Sequence, residues 1–130
     1  MFVQSARAMT SSYRSLTLHG LSPSTLFIVD HLEQVVGQVH TKKFVEQWDK
    51  GVCAGSPPHA VISFLKDGDT IPADVIVVLN HPQLSGDTLS YTIDVLEGTL
   101  PARAGPCSLF IDPIGSPLSI SGVWRRRIGE

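Results

Sequence analysis

The sequence predicts a mainly β protein: an antiparallel β-sandwich of immunoglobulin-like type with one short helix, an α+β sheet with the helix on one face being the alternative. Three observations carry this. Apolar and polar residues alternate with period two through DTLSYTIDVLEG, short apolar runs recur between turn residues, and only HTKKFVEQWDKG changes to a helical period.

In LTLHGL, Leu16 and Leu18 stand against Thr17 and His19, the alternation of a half-buried strand, and Pro23 ends it. STLFIVD, Ser24 to Asp30, has contiguous apolar residues, as a strand covered on both faces does. VVGQV, Val35 to Val39, is a shorter strand weakened by Gly37. Thr41 as N-cap, Phe44, Val45 and Trp48 on one face, and Gly51 where a left-handed C-cap would stand predict a helix over Lys42–Lys50. So short a helix needs Phe44 and Trp48 docked on the sheet. Gly55, Ser56, Pro57 and Pro58 mark a loop, HAVISFL (His59 to Leu65) a strand, and KDGD a turn. DVIVVLN, Asp74 to Asn80, with five consecutive apolar residues, reads as the centre of the sheet. Pro82, Gly86 and Asp87 then reverse the chain, which explains His81 and Asp87 without chemistry, and Leu89, Tyr91, Ile93 and Val95 return on one face. LPARAGP is a loop, CSLFID a strand with Cys107, Leu109 and Ile111 on one side, and Leu118 to Val123 a last weak strand.

With 130 residues, 42% hydrophobic content and a mean hydropathy of +0.14, the chain suffices for one domain. The expected organisation is a flexible N-terminal tail over 1–15, a single domain over 16–124, and a basic C-terminal tail over 125–130 with Arg125, Arg126 and Arg127. Charged residues are 17% and the net charge is −2, so no overall field recruits nucleic acid. No apolar run approaches the roughly 20 residues of a membrane span. MFVQSARAMTSSYRS lacks the apolar core of an export leader and reads as a tail, with organelle targeting and a start downstream of a lost leader as alternatives.

Candidate chemistry is sparse. The five histidines show no HxH or HxxxH spacing, so a metal site would have to be assembled from separate strands; Asp30, His31, His59 and His81 are the candidates for it. There is no GxSxG elbow, no GxGxxG and no GxxxxGK[ST], and no cofactor is expected. Cys53 and Cys107 form no CxxC pair and read as two small buried hydrophobes, a single bridge being the alternative in an oxidising compartment.

The series SPSTLF, TKKFVEQW, PPHAVISFL, LSGDTLSY and GPCSLFIDPIG resembles a family of small uncharacterised bacterial proteins, often exported, over roughly Leu16 to Val123. Two departures are visible: Asp30-His31-Leu32 stands where the family has Asp-Arg-Pro, and His59 where it has asparagine after the proline pair. The resemblance implies a periplasmic or extracellular setting and no reaction. Two functions follow as expectations. The first is a non-enzymatic binding or structural module of cell-envelope type, with an unknown ligand or protein partner and self-association through an exposed sheet edge. The second is a small metal-assisted enzyme built on the strand-end histidines and Asp30.

Overall fold

The computed structural model describes residues 1–28, 36–50, 56–65 and 73–112. The predicted strand at Leu118–Val123, the basic tail at 125–130 and Cys53 lie outside them. The strands are β1 (Phe2–Ala6), β2 (Ala8–Ser12), β3 (Ser15–His19), β4 (Ser24–Ile28) and β5 (Val36–His40), then β6 (His59–Phe64), β7 (Val75–Ser85), β8 (Thr88–Glu97), β9 (Arg103–Ala104) and β10 (Cys107–Asp112). One helix, α1 (Thr41–Glu46), follows β5. The class is therefore mainly β and antiparallel, with one short helix among the described residues, and the ten described strands share one ladder in the order β5-β4-β1-β10-β6-β7-β8-β3-β2-β9.

That ladder is rolled. Tyr91 on β8 donates from its hydroxyl to Gln4 Oε1 on β1 at 2.8 Å. Three strands separate β1 from β8 in the order, which in a flat sheet would hold them roughly 19 Å apart at about 4.8 Å per neighbour. The ladder also returns to its own beginning. Only Arg7 lies between β1 and β2, and Ala6 opposite Cys107 continues in register with Met9 opposite Ala104. The layering of a sandwich is thus reached with one continuous sheet in place of two separately paired ones.

Residues 2–12, expected as part of a flexible tail, are β1 and β2 and contribute to the core. Gln4 and Ala6 are buried before the bend and Met9 after it. The inward set therefore switches from even to odd positions at Arg7, as it must where a strand turns a corner. An uninterrupted period of two never develops there, and two of the three inward residues are weakly apolar or polar.

Leu16, Leu18, Ile62, Leu79, Leu89, Leu109 and Ile111 are at most 1% exposed and form one cluster with Met9 and Tyr91. The segment after Asn80 is more strand than loop. β7 continues to Ser85, and only Gly86 and Asp87 separate it from β8. Gly86 has φ +60°, which suits the first central position of a primed hairpin turn. Asn80 pairs with Thr92 and Gln83 with Ser90, so His81 and Pro82 together oppose Tyr91 in a β-bulge. His81 carries φ +50° there, and the missing donor of Pro82 is tolerated because the bulge interrupts the ladder.

The helix is shorter than the predicted Lys42–Lys50. Thr41 does not cap it: His40 occupies the N-cap with no side-chain bond, while the buried Thr41 hydroxyl donates to the Ser22 carbonyl at 3.0 Å. After Glu46 the chain tightens through Trp48 N–H to Val45 O at 3.2 Å, which drops Trp48 into the core. The docking of Phe44 and Trp48 is as expected. Phe2, Phe44, Trp48 and Tyr91 follow one another with ring centroids 5.0, 5.7 and 5.8 Å apart.

Gly37 has a use in β5. It pairs with Phe27, and a Cβ at Gly37 would lie 2.3 Å from Phe27 Cζ. The ring covers the glycine, as aromatic residues do for glycine on sheet edges. Gly37→Val should therefore lower stability by about 1–3 kcal/mol, although valine has the better strand propensity. Equilibrium urea unfolding reads the sign, and a valine variant of equal or greater stability would remove the ring from the explanation.

Candidate functional site

At the end of the roll where β1 bends into β2, three segments converge. Leu21 N–H donates to Asp87 O at 2.9 Å, Ser22 N–H to Ser5 O at 2.9 Å, and Thr41 N–H to Pro23 O at 2.8 Å. These bonds fix the β7–β8 turn, the Gly20–Pro23 connection and the start of α1 against the end of β1. Gly20 has φ +62°, and its missing Cβ leaves room for the Arg7 stem, which such an atom would approach to 3.0 Å. The convergence leaves an open groove of about 1080 Å³, at the upper end of small-molecule sites, which run roughly 300–1,000 Å³.

Its composition is mixed. Ala6, Leu21, Val45 and Leu84 supply apolar surface, and Ser5, Ser22 and Thr41 supply hydroxyls. Arg7 and Lys42 bring positive charge, Glu46 and Asp87 negative charge. None of these four is engaged in an ion pair among the described residues. The Arg14–Asp94 pair, at 3.0 Å, belongs to the β2–β3 turn at the other end of those strands.

Behind the groove wall runs a buried polar chain. Tyr91 bonds Gln4, Gln4 Nε2 donates to Thr25 Oγ1 at 3.4 Å, and the Thr25 and Thr41 hydroxyls share a bond of 2.8 Å. Thr41 then reaches the Ser22 carbonyl at 3.0 Å. Gln4, Thr25 and Thr41 are at most 3% exposed. The chain stiffens the wall because each buried polar group has a partner it would lose on moving.

Of the four candidate metal ligands, Asp30 and His31 lie outside the described residues. His59 begins β6, opposite Asp112 of β10 and Val78 of β7. Its Nδ1 is buried with no hydrogen-bond partner among the described residues. His81 is exposed at the bulge of β7. Among the described residues, no three His, Cys, Asp or Glu side chains group so as to hold an ion.

Cys107 is a free, buried thiol, and burial pushes it from 9.0 up to about 11. Below pH 9 it is protonated whether folded or not. Between about 9 and 11 the unfolded thiol ionises while the folded one keeps its proton, so stability falls as pH rises through this window. Denaturant unfolding of the protein and of Cys107→Ala at several pH values should show their stability difference shrinking across it. A constant difference would mean that the thiol is not held protonated.

The loops and turns legible in the sequence supply only part of the groove. Residues 51–55 lie outside the described residues, and His81–Ser85 is strand. Gly86 and Asp87 do line the groove, but Arg7, Gly20, Ser22 and Lys42 carry no sequence signal beyond a bend, a turn glycine and polar character. No helix among the described residues is long and apolar enough to cross a membrane. Comparison with protein-family models, curated proteins and solved structures returns no significant match.

Proposed function

We propose that this protein is a non-enzymatic binding module whose ligand occupies the groove between the β1–β2 bend, the start of α1 and the β7–β8 turn. The observation that carries this reading is that three backbone hydrogen bonds hold the groove's walls in place, so a ligand meets a preformed site with apolar surface and charged side chains that form no ion pair among the described residues. A cell-envelope setting, periplasmic or extracellular, rests on the family resemblance of the hairpin and GPCSLFIDPIG segments. A ¹⁵N-labelled sample titrated with a library of small neutral, amphipathic and charged compounds tests the site. Shift changes of hits should concentrate on Ala6, Arg7, Gly20, Leu21, Thr41 and Gly86. Hits that map elsewhere, or a library without hits, would overturn the assignment.

One observation favours a second reading, a metal-assisted enzyme using His59 with Asp30, His31 or His81: the buried Nδ1 of His59 has no partner among the described residues. Elemental analysis of untagged protein decides it. A stoichiometric ion lost on His59→Ala supports this reading, and metal-free protein that binds no added zinc removes it.

A further inference from the structure

The groove brings together two cations and two carboxylates that are not spent on each other. Arg7 stands at the bend, Lys42 and Glu46 lie one turn apart on α1, and Asp87 sits at the hairpin turn. Here none of the four has an ion-pair partner among the described residues. His40 also lines the groove; with it counted as neutral the net formal charge of the lining is zero, so the groove has no strong general pull on an anion or a cation. It does offer complementary partners to a molecule that carries both signs at separate ends. Ala6, Leu21, Val45 and Leu84 add apolar surface to the same groove, which suits the small side chains of a short peptide.

Resting on the groove as the ligand site, we infer that its ligand is a zwitterion of the amino-acid or short-peptide class, its carboxylate held by Arg7 and Lys42 and its ammonium by Asp87 and Glu46. Guanidinium and ammonium donors favour a carboxylate, and carboxylates favour an ammonium, through charge-assisted hydrogen bonds. The volume of about 1080 Å³ accommodates a few residues, and the open side leaves the peptide's remaining surface in water.

The probe is trialanine with free termini, compared with its N-acetylated, C-amidated and doubly blocked forms, each titrated into ¹⁵N-labelled protein to millimolar concentration. Free trialanine should shift the groove amides, and each block should weaken binding by about tenfold, or 1.4 kcal/mol. Lys42 and Asp87 are exposed, so Lys42→Gln and Asp87→Asn leave the fold intact. In Lys42→Gln, amidating the peptide should no longer matter as much; in Asp87→Asn, acetylation should no longer matter as much. Equal binding of all four peptides in the groove would overturn the zwitterion and leave the groove as a site for neutral ligands. Absence of groove shifts with free trialanine, while other compounds bind there, would also overturn it. A groove that binds nothing at all would remove both readings together.

Discussion

Trp48→Ala should cost about 3–5 kcal/mol of folding stability. Trp48 is only 7% exposed and lies between Phe44 and Tyr91, so truncation opens a cavity that two rings border and neither can fill without leaving its own neighbours. A domain of this size is stabilised by about 5–15 kcal/mol in total, so the loss is a large share. It should lower the thermal midpoint on the order of 10 °C or more. Because α1 is less than two turns long and is anchored through Phe44 and Trp48, the same change should loosen the helix, which is one wall of the groove. Amide hydrogen exchange over 41–50 should therefore accelerate more than over β6 or β10. A cost below about 1 kcal/mol, or uniform acceleration, would show that the helix does not depend on this anchor.

The second large effect is at Gln4. Gln4→Leu keeps the approximate volume and removes the bonds to Tyr91 and Thr25. A buried hydrogen bond lost on one side costs about 1–3 kcal/mol, and two are lost here, so a loss near the upper figure is expected. Tyr91→Phe alone leaves Gln4 Oε1 without its donor. The double variant Gln4→Leu, Tyr91→Phe removes both ends of the bond together and should cost less than the sum of the singles by about 0.5–3 kcal/mol. Chemical denaturation of the four proteins gives the coupling. Additive costs would show that the two side chains meet without depending on each other.

Strands are most legible in the sequence where a segment has one face in the core and keeps it. Leu89, Tyr91 and Ile93, and Cys107, Leu109 and Ile111, are inward as alternation requires, whereas Val95, expected on the same face as the first three, is 46% exposed near the end of β8. They are hidden where a strand changes face. The switch at Arg7 hides β1 and β2, and the bulge at His81 and Pro82 hides the second half of β7, because each breaks the period of two. Thr41 departs from its expected N-cap role for a different reason. Its hydroxyl suits an N-cap locally, but Thr25 and the Ser22 carbonyl, distant in sequence, offer a buried alternative. The groove was the least legible part, since its walls come from three separate segments whose proximity depends on the roll of the sheet.

That roll has a consequence for biosynthesis. Phe2 pairs with Ile111 and Ala6 with Cys107, so β1 waits for β10, the last of the described strands, before its second neighbour exists. Partnerships this remote in sequence fold slowly. Throughout that interval the growing chain carries an unfinished greasy surface and an open strand edge, the two features that let aggregation compete with folding.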